Sequence, residues 1–283
     1  MSKKEEIRIK KVGILKLGNI ASSVLLEMLL DERADRLDID VQTISSGAKL
    51  EKKVIMRACD LFSTSQYDLA IIATPNASLP APQEVIAKIT QSNTPCIVLT
   101  DKLNKESKEK LIENKVGFII VESDAMIGAR REFLDPVEMA IYNSDLIKVL
   151  AIGGAFSLIY QKIDELLVQL IEGKKFVPPQ ITITPEKAVK YAKFSNPYAE
   201  AKARAALEIA EKVAKINSEG CFKIVERLEY IPQVTTGHEM MFAAAKLAEE
   251  AREIEKAQNK VRRQPHHYKG EVQEKFLLTE KPD

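Results

Sequence analysis

The stretch Asp68-Leu-Ala-Ile-Ile-Ala-Thr74 is apolar at every position between its two ends. A strand with one solvent-facing side alternates apolar and polar residues, whereas a strand that is covered on both faces is apolar throughout. Pro75 follows at once, and a proline at this point predicts that the strand ends there. The stretch therefore predicts a buried strand in a parallel sheet that carries helices on both faces.

Segments of the same kind recur on both sides of this strand. Short β-branched or apolar runs alternate with stretches of helical spacing through the first half of the chain. The further predicted strands are 11–16, 39–45, 95–100 and 116–121, and predicted helices include 20–30 and 51–62. This alternation is typical of an α/β fold with a parallel, Rossmann-like sheet of about five strands and crossover helices. We assign residues 1–123 to this domain.

The second half of the chain has few strand signals. Helical spacing dominates residues 136–171, 198–216 and 239–261. Residues 124–262 are therefore predicted to be a mainly helical region that forms the ligand cleft and the subunit contacts. An extended piece near 176–184 interrupts this region and predicts a small accessory β segment. Residues 263–283 are predicted to be a non-helical C-terminal tail.

The charges, apolar runs and cysteines exclude several classes of protein. Forty-two Lys and Arg against forty-one Asp and Glu give a net charge of +1, which provides no basic field for nucleic acid. No apolar run approaches the roughly eighteen residues that a membrane span requires, and we expect no secretion signal. Three cysteines without a CxxC pair predict neither disulfides nor a thiolate metal cluster. We therefore expect a cytoplasmic protein.

Two loops that follow predicted strands contain candidate binding residues. In a doubly wound sheet, ligands bind beyond the carboxyl ends of the strands. Lys16-Leu-Gly-Asn-Ile20 precedes a helix, where free N–H groups could bind an anion, although a plain turn is an equal alternative. It is not a GxGxxG motif, which argues against an ordinary nicotinamide site. Thr74-Pro-Asn-Ala77 could admit a planar heterocycle, and we favour this over a merely proline-stiffened loop.

A charged segment and a histidine are further candidates. Residues 124–136 carry paired arginines where the predicted sheet passes into the helices. Arginines there suit phosphate or polyglutamate recognition, and a charged surface loop is the alternative. His238 either caps a following helix or reaches into a cleft. His266 and His267 have no third ligand nearby at metal spacing, so we predict no metal.

Longer segments of this sequence resemble a known family. The segments that carry the resemblance are 16–20, 29–36, 124–140, 196–199, 220–222, 230–232, 238–240 and 280–282. Together they resemble the archaeal coenzyme F420-dependent methylenetetrahydromethanopterin dehydrogenase family from end to end. The resemblance implies a reversible oxidoreductase that transfers a hydride between the methylene carbon of methylenetetrahydromethanopterin and C5 of the deazaflavin coenzyme F420.

The resemblance also implies the biological setting and the partners. The reaction would belong to archaeal one-carbon metabolism, in methanogenesis or its reverse. Coenzyme F420 would be a dissociable co-substrate, with no metal and no tightly bound prosthetic group. The tetrahydromethanopterin one-carbon carrier would be the substrate, and the protein would be a homo-oligomer in which dimers assemble into a hexamer.

Roles for individual residues follow from the matching segments. The coenzyme is expected near Gly18, Asn19, Ile20, Thr74, Pro75 and Asn76, with its anionic tail close to a helix N-terminus. The pterin is expected near Asp124, Met126, Arg130, Asp135 and His238. Hydride transfer depends mainly on positioning and electrostatics, so no residue is certainly catalytic. Asp135 and Glu138 are candidates to oppose the positive charge of the methenyl product, and capping of a helix by Asp135 is the competing account.

Two departures from the family pattern leave alternatives open. The loop that begins at Thr74 lacks the Gly-rich turn around Pro-Asn-Pro that the family predicts, and the stretch 235–237 also differs. A non-catalytic relative that binds the pterin or acts in regulation is one alternative. The same dehydrogenase with NADP as hydride acceptor is another, and the missing GxGxxG motif argues against it.

Overall fold

The computed structural model describes residues 9–30, 36–124 and 135–282, and it contains one six-stranded parallel sheet. The strands are β1 (Lys10–Lys16), β2 (Ile39–Ser45), β3 (Leu69–Asn76), β4 (Cys96–Lys102), β5 (Gly117–Val121) and β6 (Gln180–Ile183). Their order across the sheet is β2-β1-β3-β4-β5-β6. The predicted α/β fold with a parallel, Rossmann-like sheet is confirmed. Strand β3 continues through Pro75 to Asn76, one residue further than the proline predicted.

Helices cover both faces of the sheet, as the apolar strand β3 requires. One face carries α2 (Lys52–Phe62), α3 (Pro80–Thr90) and α4 (Lys105–Glu113). The other face carries α1 (Ala21–Leu30), α5 (Pro136–Ile152), α6 (Ala155–Ile171), α7 (Pro185–Ala192), α8 (Pro197–Phe222) and α9 (Arg227–Ala257). Alternate residues of β3 enter the two cores: Ile71 packs on the α1 side and Ile72 on the α2 side.

The extended piece near 176–184 is part of the main sheet and not a separate accessory segment. Its four residues, Gln180–Ile183, form β6 and pair in parallel with β5. Before the strand begins, the Phe118 N–H donates to the Pro179 carbonyl at 2.7 Å. A Cβ on Gly117 would lie 2.7 Å from Pro179 Cδ, so only glycine lets the two segments approach this closely. The sheet therefore has six strands where the sequence predicted about five.

Helix α9 begins at Arg227, well before the predicted start at residue 239. Pro232 lies inside it and cannot donate a backbone hydrogen bond. The helix continues because it packs along α8 and buries Tyr230 and Val234. Packing against α8 therefore outweighs the tendency of Pro232 to break the helix.

No single helix in the described ranges is long and apolar enough to cross a membrane. The helices α5 and α6, which are bent by 64° relative to each other, pass this test only as a pair. Both contribute to the apolar core beneath the sheet.

Residues 263–282 contain no helix and fold back over the α/β domain. Two antiparallel bridges, Arg263 with Lys275 and His266 with Val272, close the tail on itself. The Leu37 N–H donates to the Tyr268 carbonyl at 2.9 Å, which ties the tail to the segment before β2.

Candidate functional site

The topological switch point lies between β1 and β3. Helix α1 leads from β1 to β2 on one face, and α2 leads from β2 back across the sheet to β3 on the other face. The two connections therefore diverge at the carboxyl ends of β1 and β3 and leave a crevice there. The two loops predicted to bind the coenzyme follow these two strands.

Gly18 and Pro75 bring the two loops into contact. Gly18 has φ +77°, and a Cβ on it would lie 3.3 Å from Pro75 Cδ. Its N–H donates to Ser46 Oγ at 3.0 Å, which links the loop to the end of β2. Glycine is required here both by the left-handed backbone and by the close approach.

The other predicted coenzyme residues differ in how accessible they are. Asn19 is exposed, whereas the Ile20 side chain is buried in the core, so only its main chain can face a ligand. Thr74 is fully buried, and its hydroxyl has no hydrogen-bond partner among the described residues. Asn76 is partly exposed, and its Oδ1 accepts from the Ser78 N–H at 3.0 Å. Asn19 and Asn76 are thus the side chains of this set that a ligand can reach directly.

Asp124 occupies the N-terminus of α1. Its carboxylate accepts hydrogen bonds from the Ala21 N–H at 3.1 Å, the Ser22 N–H at 2.8 Å and the Ser22 hydroxyl at 2.5 Å. The residue has no exposed surface. A carboxylate satisfies the free N–H groups of a helix N-terminus and interacts favourably with the helix dipole. The anionic tail of a ligand, predicted to lie near a helix N-terminus, would therefore need donors other than these two N–H groups.

Glu138 and His238, which are 100 residues apart, are in direct contact. His238 Nδ1 lies 2.8 Å from Glu138 Oε1, and the His238 side chain is 3% exposed while that of Glu138 is 43% exposed. An ionised carboxylate only accepts hydrogen bonds, so Nδ1 is the protonated nitrogen in this contact. The buried imidazole thus holds a partly exposed carboxylate in one place.

Tyr142 and Asn217 support this histidine. The rings of Tyr142 and His238 stack with centroids 4.3 Å apart, and Asn217 Nδ2 donates to the Tyr142 hydroxyl at 2.9 Å. A cavity of about 180 Å³ lies over the group, and its lining includes Glu138, Tyr142, His238 and Glu239. The carboxylate of Glu138 therefore lies at the wall of a small cavity between α5 and α9.

This cavity is electrostatically connected to the carboxyl edge of the sheet. Burial raises the pKa of the Tyr142 hydroxyl above its ordinary value, the Asn217 hydrogen bond acts against this, and the charge of Asp124 adds to it. At the end of β4, the pKa of the Asp101 carboxyl is raised well above its ordinary value. Burial is the largest cause, and the charge of Asp124 is the second. The charge of Asp124 therefore acts both on Tyr142 at this cavity and on Asp101 at the edge of the sheet.

His238 does not cap a helix, because it lies inside α9. Of the two readings that the sequence allowed, the position inside a cleft is the one that the geometry supports. The neighbouring Gly237 has a packing role, since a Cβ there would overlap Asn217 Oδ1. The sequence analysis did not identify Tyr142, Asn217 or Asp101. Gly237, next to His238, is the one local sequence signal of the close packing against Asn217.

Asp135 is the N-cap of α5. Its Oδ1 accepts from the Val137 N–H at 2.7 Å and from the Glu138 N–H at 3.3 Å, and the residue is exposed. The competing account, in which Asp135 caps a helix, is therefore confirmed. Its role toward the pterin stays a prediction. Met126 and Arg130 lie outside the described residues.

Replacing Asp135 separates the two roles. We expect Asp135→Ala to lower the free energy of unfolding by about 1 kcal/mol, because a helix cap is lost. Asp135→Ser keeps a capping oxygen and should retain wild-type stability in the same urea titration. If Asp135 only caps α5, both variants keep normal turnover. A fall in turnover shared by both variants would assign the carboxylate to substrate binding.

Within the described ranges, no three His, Cys, Asp or Glu side chains come together as a metal site. The three cysteines are free thiols, and Cys59 and Cys96 are buried. Burial raises the pKa of the Cys96 thiol to about 12, which keeps it protonated and unreactive.

Comparison with known proteins gives consistent matches along the chain. The family model for methylene-5,6,7,8-tetrahydromethanopterin dehydrogenase matches residues 10–283. The F420-dependent methylenetetrahydromethanopterin dehydrogenase of Methanosphaerula palustris is 48% identical over 280 residues, and that of Archaeoglobus fulgidus is 48% identical over 275 residues. Each alignment covers 97% of this chain and 100% of the relative.

A solved structure is similar over the same length. It superposes with a TM-score of 0.91 at 39% identity, and the match covers 97% of this chain and 100% of that one. That structure is of an F420 dependent methylene-tetrahydromethanopterin dehydrogenase in complex with methylene-tetrahydromethanopterin and coenzyme F420.

Proposed function

The chain belongs to the methylene-5,6,7,8-tetrahydromethanopterin dehydrogenase family, and we propose that it transfers a hydride reversibly between methylenetetrahydromethanopterin and coenzyme F420. The observation that carries this proposal is the full-length similarity, at 39% identity, to an enzyme whose structure holds both of these molecules. The products in one direction are methenyltetrahydromethanopterin and the reduced deazaflavin. The reaction is one of archaeal one-carbon metabolism.

The residues at the cavity suit a reaction that creates a positive charge. When the hydride leaves the methylene carbon, the methenyl group that remains is a cation. A carboxylate that is already oriented before the reaction stabilises such a charge more than a mobile one does. Glu138 meets this condition, because buried His238 holds it and Tyr142 holds His238. Glu138 therefore acts by electrostatics, and no proton transfer to or from the reacting carbon is needed.

The N-terminus of α1 argues against NADP as the hydride acceptor. In nicotinamide enzymes of this fold, the first helix N-terminus binds the pyrophosphate after a GxGxxG turn. Here the chain has Gly18-Asn19-Ile20, and the N–H groups of Ala21 and Ser22 already bind Asp124. A deazaflavin coenzyme does not depend on a pyrophosphate at this position.

The proposed reaction is tested by the anaerobic absorbance of oxidised coenzyme F420 with methylenetetrahydromethanopterin and catalytic amounts of the protein. We expect the deazaflavin absorbance to bleach. A parallel reaction with NADP should show no formation of NADPH. Formation of NADPH would assign the other acceptor, and no change in either reaction from folded protein would favour the non-catalytic, pterin-binding or regulatory alternative.

A homohexamer assembled from dimers and a cytoplasmic location are also part of the proposal. Phe222 at the end of α8, Val225 in the turn and Leu228 at the start of α9 are each more than 70% exposed and suit a subunit contact. Three free cysteines fit a reducing compartment. Light scattering of the purified protein measures the assembly, and a monomeric mass would contradict it.

A further inference from the structure

Asp101 is a carboxyl group at the carboxyl end of β4, in the same region as the switch point. Strand β4 pairs directly with β3. Ile97 and Leu99 of β4 enter the core on the α1 side, so alternation places Asp101 on that side as well. The residue is partly exposed, but its Oδ1 is buried and has no hydrogen-bond partner among the described residues. A buried polar oxygen without a partner costs free energy, so a bound group that forms a hydrogen bond with it would be favoured.

Asp101 and Asp124 are two carboxyl groups that influence each other, and they differ in their surroundings. Asp124 accepts three hydrogen bonds at the start of α1, which stabilise its charged form. Burial and the charge of Asp124 raise the pKa of Asp101, and its own backbone N–H and Lys102 only partly oppose this. Of the two groups, Asp101 is therefore the one whose neutral form is favoured by its surroundings.

We propose that Asp101 contacts a bound heterocycle at the carboxyl edge of the sheet, where its carboxyl group forms hydrogen bonds to a lactam edge. This inference rests on the proposed function, which supplies the ligands. A lactam edge places a carbonyl oxygen beside an N–H group. The deazaflavin ring and the pterin ring both carry such an edge, and the experiment below distinguishes them.

The neutral form of the carboxyl group makes this pairing effective. A protonated carboxyl presents one donor and one acceptor side by side, which matches the acceptor and donor of a lactam. An ionised carboxylate offers acceptors only and would repel the lactam carbonyl oxygen. Burial, and after it the charge of Asp124, disfavour ionisation of Asp101 and thus prepare it for this contact.

Binding measurements on Asp101 variants test the contact. Asp101→Ala removes both hydrogen-bonding groups, and we expect it to weaken binding of one heterocycle by roughly 2- to 12-fold. Asp101→Asn keeps a donor and an acceptor without a charge and should bind within about twofold of wild type. Asp40→Asn, on the exposed part of β2, is the matched control. Coenzyme F420 is titrated by fluorescence and tetrahydromethanopterin by calorimetry, each alone.

The protonation state is tested without any ligand. An acid whose pKa is raised on folding binds its proton more tightly in the folded state, so stability falls as pH rises from the ordinary pKa through the raised one. Asn cannot ionise. We therefore expect the unfolding free energy of Asp101→Asn to increase relative to wild type as pH rises through that window. Asp40→Asn is measured beside it as the exposed control.

The outcomes separate this inference from the proposed function. Wild-type turnover with unchanged binding of both heterocycles to Asp101→Ala would overturn the inference and leave the function in place. If the difference in unfolding free energy between Asp101→Asn and wild type does not depend on pH, the proposal that Asp101 is neutral is contradicted. Wild-type protein that binds neither heterocycle would overturn the proposed function and this contact together.

Discussion

Replacement of Arg36 by alanine should lower the free energy of unfolding by about 3–5 kcal/mol, since it leaves buried carboxylates without their cation. Arg36 Nε lies 2.7 Å from Asp38 Oδ1, and Nη2 lies 3.3 Å from Asp164 Oδ1. The three side chains are 4%, 3% and 9% exposed. Removing one member of such a group costs far more than the net contribution of the intact group, because the remaining charges stay buried.

The C-terminal tail depends on the same cluster. His266 Nε2 lies 3.0 Å from Asp164 Oδ2, and the Tyr160 hydroxyl contacts the His266 ring. The tail therefore joins the domain through residues on α6 and before β2. In Arg36→Ala we expect the segment 263–282 to become the first site of proteolytic cleavage, because its buried anchor is lost.

An exposed ion pair provides the control. Arg204 and Glu208 on α8 are each 52% exposed, and Arg204→Ala should change the unfolding free energy by at most about 0.5 kcal/mol. Asp164→Asn is a milder second variant if Arg36→Ala does not fold, with an expected loss of about 1–3 kcal/mol. Equal losses in the buried and the exposed variants, measured by urea titration, would contradict this account of the tail.

The parts of the molecule that the sequence predicted are those with local signals. The apolar run of β3 indicates burial on both faces, and the loops at Gly18 and Thr74 follow strands that can be read from the sequence directly. The register that makes these loops neighbours follows from the doubly wound topology. Fold and crevice were therefore predictable from one sequence.

The parts that were missed depend on contacts between distant residues. His238 and Glu138 are 100 residues apart, Asp124 and Ser22 are 102 apart, and Arg36 and His266 are 230 apart. No periodicity or motif encodes such pairs: the sequence offers Asp124, Glu138 and His238 as separate candidates but does not indicate which residue each one contacts. Strand β6 was misplaced for the same reason, since its four residues become part of the main sheet only through pairing with β5.

The position of Asp124 explains two features of the sequence together. A helix N-terminus at a switch point ordinarily binds the phosphate of a dinucleotide, and the glycines of GxGxxG allow that phosphate to approach. In this chain, a carboxylate supplied from the end of β5 binds the same N–H groups. The chain therefore lacks the glycine motif at the position where Asp124, 102 residues after Ser22, binds the helix N-terminus. The crevice keeps the fold of a dinucleotide site, while the N–H groups of Ala21 and Ser22 at its helix N-terminus are bound by a carboxylate.

Glu138→Gln should lower kcat by about 10- to 100-fold in the hydride-transfer assay, at or below the lower end of the effects seen when one oriented electrostatic group is removed. The lower end applies because the Glu138 side chain is 43% exposed, so solvent screens part of its charge. Glutamine has the same size, and its carbonyl oxygen can still accept from His238 Nδ1. Only the charge that we propose opposes the methenyl cation is lost, so KM and thermal stability should change little.

Glu239→Gln is the matched control for this prediction. Glu239 is exposed and lines the same cavity, one residue after His238. A general change in the charge of the cavity would affect both variants equally, whereas stabilisation by an oriented carboxylate requires a large effect at Glu138 alone. If the kcat of both variants falls by the same factor, the carboxylate of Glu138 acts only through the net charge. If Glu138→Gln turns over normally, the contact between His238 and Glu138 serves to join α5 to α9, and the charge that opposes the cation must come from another residue.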